Sequence, residues 1–306
     1  MEEISKTNGR NPSQGEVVSV IIPTYNRPTL LRRALESVVN QSYKNLEIII
    51  INDGGDESSR DITQSFKDDR ITYLSHGSNK GGSAARNTGI RNTKGEYIAF
   101  LDDDDQWIPS KIETQLNKMA KTDPDVGFCF SAVTNVYENR EEDTWVPEGI
   151  DDYFDLALER FNGFLNVTLF VKKAVLEDVG GFDENLPSHQ EVDLVLKMAR
   201  KYKGLGINRS LVKVDMSDHR QVGRNLLKRA KGREMILKKY LNEFSIKPIV
   251  FAKHQFGLGL MYRDMGNFDK AQSIFKEALK NNFNLRYLAH FIILLWGGRL
   301  YKLVKK

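Results

Sequence analysis

Blocks of apolar and polar residues alternate along the first hundred positions. Residues 17–22, Val-Val-Ser-Val-Ile-Ile, form a near-continuous β-branched run, the pattern of a strand buried on both faces. Pro23-Thr-Tyr-Asn-Arg-Pro28 breaks the run. Thr29 is placed to cap a helix reaching Asn40, with Leu30, Leu31, Ala34, Leu35 and Val38 on one side. A second buried strand is predicted over 46–51, ending in Asn52-Asp-Gly-Gly55. A helix follows over 60–66, then a third strand over 71–74, a helix opening at Gly81-Gly82, and a fourth strand over 97–101 that runs into four consecutive aspartates. Strands and helices in this rhythm predict right-handed βαβ units and a parallel sheet.

Past residue 101 the rhythm loosens. A helix is predicted over 111–120 and strands over 126–134 and 167–171, separated by an acidic, irregular stretch from 137 to 155. A short helix over 174–179 stops at Gly180-Gly181, another spans 191–201, and the chain reads as helical beyond about 215. The expected organisation is a disordered leader over 1–16, an α/β domain over 17–220 with a mostly parallel sheet flanked by helices, and a smaller all-α, basic region over 221–306.

Composition adds one fact that pattern does not. The 306 residues carry 45 Lys and Arg against 41 Asp and Glu, a net charge of +4. Residues 1–196 hold 20 basic and 34 acidic side chains, a net of −14, whereas residues 197–306 hold 25 basic and 7 acidic, a net of +18. So divided a charge suggests two parts with different partners. Hydrophobic residues make up 40% of the chain, which excludes a disordered or collagen-like polymer. The single Cys129 excludes an internal disulfide and suggests a reducing compartment. Residues 1–16 contain no apolar run of the signal-peptide kind, and no stretch has the length of a spanning helix.

In open parallel sheets, ligands bind beyond the carboxyl ends of the strands. Here those ends carry Thr24-Tyr25-Asn26, Asp53 and residues 102–105. Four adjacent carboxylates repel one another and need a counter-ion or open solvent. Strand alternation would put Asp102 and Asp104 on one side and Asp103 and Asp105 on the other. Hard carboxylate oxygens suit Mg²⁺ or Mn²⁺, which commonly bridge carboxylates to a phosphate; a solvated acidic turn is the plainer alternative. Lys80-Gly81-Gly82, at the start of a helix, offers backbone N–H groups to an anion.

These stretches together resemble the family 2 glycosyltransferases of the GT-A, Rossmann-like fold. The matching segments are Val20-Ile-Ile-Pro-Thr-Tyr-Asn-Arg27, Ile50-Ile-Asn-Asp-Gly54, residues 79–89, residues 97–105, and Gly180-Gly-Phe-Asp-Glu-Asn-Leu-Pro187. They fall in order within residues 17–215. The resemblance implies a catalytic domain over 17–220 with a nucleotide-sugar pocket lined by Pro23, Thr24, Tyr25, Arg27, Asp53, Lys80, Arg86, Asp102 and Asp103. Asp53 would face the base, Asp102 the ribose and metal, and Asp104 would be the ligand of Mn²⁺ or Mg²⁺. It further implies inversion at the sugar carbon and a carboxylate that deprotonates the acceptor hydroxyl.

At that carboxylate the sequence departs from the family. Where Glu-Asp-x-Asp-Leu is usual, residues 190–194 read Gln-Glu-Val-Asp-Leu, so Glu191 stands in the place of the usual Asp, with Asp193 as the alternative base. His219 lies where some relatives place a metal–diphosphate histidine, and is a further candidate ligand. His189, beside Glu191, reads equally well as an exposed loop residue. Leu258, Gly259, Tyr262, Gly266, Ala271, Phe275 and Ala278 resemble a single tetratricopeptide repeat. The basic helix over 224–239 and the aromatic, Arg- and Lys-flanked end over 287–306 suit an anionic membrane surface or helix packing. The reading that results is a cytoplasmic enzyme, peripheral on the inner membrane face. It would move a sugar from a nucleotide-diphosphate donor, expected to be a UDP-sugar, to a glycan or lipid-linked acceptor. The alternative is a catalytically weak sugar-nucleotide or partner-binding protein acting through its helical tail. No nucleic-acid recognition motif appears, and the oligomeric state stays open.

Overall fold

The computed structural model describes residues 15–216 and 225–295. His219, the end of the tail from residue 296, and all of the expected leader but Gly15 and Glu16 lie outside these residues. Gly15 and Glu16 are tied down: their carbonyls accept from Asn45 Nδ2 at 3.2 Å and from the Tyr43 hydroxyl.

Contacts divide the chain into two compact units, the first comprising residues up to 154, 162–182 and 194–217, the second 155–161, 183–193 and 218 onward. The turn before Glu191 and the first residues of its helix belong with the C-terminal helices.

The first unit is built on a sheet of ten strands among the described residues. Its N-terminal half follows the hydrophobic pattern closely: β1 (Val18–Thr24), α1 (Pro28–Val39), β2 (Leu46–Asn52), α2 (Ser58–Ser65), β3 (Ile71–Ser75), α3 (Gly82–Asn92) and β4 (Tyr97–Phe100). Helix α1 starts one residue before the expected Thr29 cap. Pro28 takes the first helical position, where its fixed φ suits the helix and its missing N–H costs nothing. Strands β1 to β4 pair in parallel, in the order β3-β2-β1-β4. Val20, Ile21 and Ile22 are fully buried, so both faces of β1 are covered.

The second half is mixed in direction. It contains β5 (Gln106–Trp107), α4 (Lys111–Met119), β6 (Val126–Val136), β7 (Glu141–Asp143), β8 (Gly149–Asp151), a 3₁₀ turn over Asn166–Thr168, β9 (Phe170–Lys172) and α6 (Lys173–Asp178). Strand β9 runs antiparallel between β4 and β6. The strand expected over 167–171 is thus half 3₁₀ turn, where the Val167 carbonyl turns aside to accept from Trp107 Nε1 at 3.2 Å. The largest omission from the sequence reading is β10 (Lys203–Asp215), parallel to β6. Its glycines at 204 and 206 and polar residues at 208–210 hide the alternation, and its register against β6 shifts three times.

The second unit holds α5 (Phe154–Glu159) from its second residue, the start of α7 (Gln190–Ala199), and α8 (Leu226–Lys239), α9 (Leu241–Ser245), α10 (Pro248–Asp264), α11 (Phe268–Asn281) and α12 (Leu285–Leu295). Asn225 caps α8 by accepting from the Lys228 N–H at 3.0 Å. Ile236 and Leu237 of α8 are buried, while Leu227 and Met235 face solvent. Helices α10 and α11 pack as a hairpin in which Gly259 admits the Phe275 ring, and Phe256 of α10 stacks on Tyr287 of α12 with centroids 4.3 Å apart. No helix among the described residues is long and apolar enough to cross a membrane.

Packing of α3 on β1 gives a direct check of this layering. A Cβ at Gly89 would stand 2.5 Å from Ile21 Cγ2, so Gly89→Val overpacks the interface. The substitution should cost about 1–3 kcal/mol and lower the midpoint of thermal unfolding by several degrees, as circular dichroism would register. An unchanged midpoint would mean that α3 does not lie against Ile21.

Candidate active site

Strand order creates the site. The chain lays β2 and β3 on one side of β1 and then returns to place β4 on the other. The carboxyl ends of β1 and β4 therefore flank a switch point, where α/β sheets open a crevice. Ile21 pairs with Phe100, so three residues on, Thr24 faces Asp103. The Thr24 hydroxyl donates to Asp103 Oδ2 at 2.8 Å.

Residues 102–105 form a tight turn closed by the Asp105 N–H donating to the Asp102 carbonyl at 3.2 Å. This turn overturns the alternation expected of an extended strand. Carboxylate oxygens of Asp102, Asp104 and Asp105 lie within 4.8 Å of one another, and Asp103 turns away to Thr24. Asp105, which the sequence placed on the opposite side, thus joins the cluster. Like charges at this spacing repel by about 3–4 kcal/mol per pair at an effective dielectric of 20.

Three arginines offset that repulsion. Arg27 Nη1 donates to both Asp103 and Asp104 at 3.1 Å. Arg33 on α1 donates to the Asp104 carbonyl at 2.9 Å and pairs with Asp215 at 2.6 Å, while the Asp215 N–H donates to Asp105 Oδ1 at 3.1 Å. Arg86 on α3 pairs with Asp102. It lies buried over the Phe182 ring, its Nε making no hydrogen bond. A Cβ at Gly82 would stand 3.0 Å from Arg86 Nη1 and shift the guanidinium by a few tenths of an ångström. Compensation is incomplete: burial, followed by the charge of Asp104, pushes Asp103 up to about 6, and burial with Asp102 and Asp104 holds Asp105 well above the usual carboxylate range.

The glycine-rich loop has a different role from the expected one. The Lys80 and Gly81 N–H groups donate to Asp53 at 3.0 and 2.8 Å, so the anion they hold is a side chain of the protein. His76, which the sequence reading passed over, joins Asp53 at 2.7 Å to Thr88 on α3 at 3.0 Å. Asp53 is therefore the post that fixes the β2 end to the start of α3. Tyr25 and Lys80 are exposed and Pro23 half-buried beside it. The Gly180-Gly181-Phe182 turn is anchored to the same helix, where Asn87 both accepts from the Phe182 N–H and donates to its carbonyl, each at 2.9 Å.

Within the second unit, Glu191 lies half-buried in the first turn of α7. Asp193 is wholly buried, accepting from the Tyr240 hydroxyl at 2.9 Å and pairing with Lys239 at 2.8 Å. His189 is buried as well, against the expectation of an exposed loop residue. Its Nδ1 lies 2.8 Å from Ser188 Oγ, and burial with Arg233 and Arg229 lowers it to about 3.

Residues 19–171, half of the chain, match the profile of Glycosyl transferase family 2. The chain belongs to that family. Among its relatives are an uncharacterized glycosyltransferase of Rickettsia typhi, 34% identical over 192 residues (60% of this chain, 59% of that protein), and the glycosyltransferase GlyA of Streptococcus pneumoniae, 37% identical over 155 residues (49% and 21%). Another is the Escherichia coli UDP-Glc:alpha-D-GlcNAc-diphosphoundecaprenol beta-1,3-glucosyltransferase WfaP, 42% identical over 104 residues (34% and 41%). The chain spans less than two thirds of the length of each. Among solved structures, S. aureus TarS in complex with UDP-GlcNAc matches with a TM-score of 0.68 over 92% of this chain and 87% of that one, at 15% identity. A Pyrobaculum calidifontis mannosyltransferase in complex with GDP-Man and Mn²⁺ matches with 0.60 over 95% and 82%, at 18% identity. At such identities the likeness speaks to the GT-A fold alone.

The titration of Asp103 gives a prediction with a definite sign. Its folded value of about 6 lies above the model-peptide value of 3.8, so between these pH values the folded state binds more protons than the unfolded one. Stability from this group is therefore present at low pH and lost as pH rises from about 4 to 6, by on the order of 3 kcal/mol. Denaturant titrations should show that slope in the parent and a smaller one in Asp103→Asn; parallel pH profiles would remove the assignment.

Proposed function

We propose that the protein is an inverting, metal-dependent glycosyltransferase that takes a sugar from a nucleotide-diphosphate donor to a hydroxyl of a saccharide acceptor. The observation that carries this reading is the convergence of Asp102, Asp104 and Asp105 between Arg27 and Arg86 at the switch point. Three hard oxygen donors, with Asp105 protonating above the ordinary carboxylate range, fit a divalent cation such as Mn²⁺ or Mg²⁺. When bound, such a cation neutralises charge on the departing diphosphate.

The remaining roles fall to side chains of the chain itself. Tyr25, Asp53 and Lys80 line the nucleoside side, and Thr24, Arg27 and Asp103 brace the turn from below. Arg86 places a guanidinium beside Asp102, where a diphosphate oxygen can take its spare donor. The acceptor oxygen forms its bond to the anomeric carbon as the bond from that carbon to the diphosphate oxygen breaks, on the opposite face. The nucleotide diphosphate leaves with the electron pair, and the acceptor proton passes to Glu191. Glu191 is preferred to Asp193 as base because the Asp193 side chain is wholly buried whereas Glu191 is half-buried. A lipid-diphosphate-linked saccharide is the favoured acceptor, with support from the acceptor in the name of the relative WfaP.

Incubation with UDP-, GDP- and dTDP-sugars, Mn²⁺ and acceptors with or without a diphosphate-lipid tests this directly. Release of nucleotide diphosphate should fall at least about a hundredfold in Asp104→Ala. In Glu191→Gln, kcat should fall by about 10²–10⁴ with donor affinity kept. Undiminished turnover in Asp104→Ala would refute the metal site, and undiminished turnover in Glu191→Gln the base.

A further inference from the structure

On the far side of the acidic turn, the first unit carries a pocket of about 180 Å³ that no role above uses. Ser131, Val133 and Asn135 line it from alternate positions of β6, with Thr144, Trp145 and Asn162 among its other lining residues. Its volume is below the roughly 300 Å³ of a drug-sized site, which limits the occupant to about one ring. Trp145 is 63% exposed, an unusual setting for so large an apolar surface. The Asn135 and Asn162 side-chain amides have no hydrogen-bond partner among the described residues. The Thr144 hydroxyl, in contrast, is fixed against the β6 backbone, accepting from the Val133 N–H at 3.0 Å.

An open indole face beside unengaged amides matches the two-sided chemistry of a pyranose. The C–H face of the sugar packs on the aromatic ring, and its vicinal hydroxyls take amide donors and acceptors. Position separates this pocket from the nucleotide side. In the sheet order β3-β2-β1-β4-β9-β6-β10, Asp53 and Thr24 end strands on one side of the acidic turn, and Asn135 lies on the other. Asn135 precedes Val136, whose register partner Asp215 holds Asp105 through its N–H. One residue along β6 and one strand spacing, about 3.3 and 4.8 Å, thus link the pocket to the acidic turn.

We propose that this pocket is the subsite for a pyranose ring of the acceptor saccharide, with Trp145 as its stacking platform and Asn135 and Asn162 as its hydroxyl-reading groups. The assignment rests on the transferase reading, and its test uses binding rather than turnover so that the two can fail separately. Saturation-transfer NMR with the methyl glycosides of glucose and N-acetylglucosamine, without nucleotide, should show ring protons contacting the parent protein. Trp145→Ala should weaken that binding by about five- to tenfold, Trp145→Phe should retain most of it, and affinity for the nucleotide-sugar donor with Mn²⁺ should be the same in all three. Absence of glycoside contact in the parent, or contact undiminished in Trp145→Ala, would overturn the subsite. A loss of donor affinity in Trp145→Ala would assign the pocket to the donor sugar and overturn its acceptor role. Glycoside binding that depends on Trp145 in a protein that neither binds nor hydrolyses any nucleotide sugar would leave the subsite standing and the transferase reading refuted.

Discussion

Mutual repulsion of the carboxylates at the end of β4 is the constraint on which the rest of the first unit depends. Left alone, four adjacent anions at a sheet edge would open toward solvent. Here the turn holds three of them within 4.8 Å of one another, and the surrounding elements supply the charge that permits it. Arg27 comes from the β1–α1 junction, Arg33 from one turn into α1, and Arg86 from α3. Two separate units, β1–α1 and α3, must therefore be correctly docked before the turn can close. Balance is deliberately partial in effect, since buried Asp103 and Asp105 still hold protons more tightly than free carboxylates do. A site in that state gains from a divalent cation more than a neutralised one would.

The same logic explains residues that also serve the frame. Asp53 spends its carboxylate on His76 and on two backbone N–H groups at the start of α3. Holding that start in place is what positions Arg86 one turn further on. Asn87, the next residue, holds the Gly180-Gly181-Phe182 turn with two hydrogen bonds, and the Phe182 ring lies under Arg86. Motifs that are distant in sequence are thus parts of one support for a single guanidinium. In the second unit, Asp193 plays a comparable role between α7 and α8 through Tyr240 and Lys239.

Much of this was legible in the sequence because burial on both faces leaves a plain signature. The runs at 17–22 and 46–51 could be little other than central parallel strands, and their polar ends marked the crevice. What escaped was set by tertiary detail. Asp105 was assigned to the wrong side because the extended conformation ends at Phe100, and a turn has no period of two. Arg33 looks like any helix-surface arginine until Asp215 arrives from 182 residues away. Strand β10 was invisible because its glycines and polar residues make sense only against β6 and β8. A His that bridges two strand–helix junctions, as His76 does, carries no local pattern at all; its only signal was a lone histidine at the predicted end of a strand.

The central claim is that the acidic turn and the nucleotide diphosphate are bound together through a divalent cation. Calorimetric titration of the parent protein with UDP and with GDP, in EDTA and again in saturating Mn²⁺, measures that coupling directly. The nucleotide that binds should do so at least about tenfold more tightly with Mn²⁺, and Mn²⁺ should in turn bind more tightly by the same factor once the nucleotide is present. Equal nucleotide affinities in EDTA and Mn²⁺ would contradict the account.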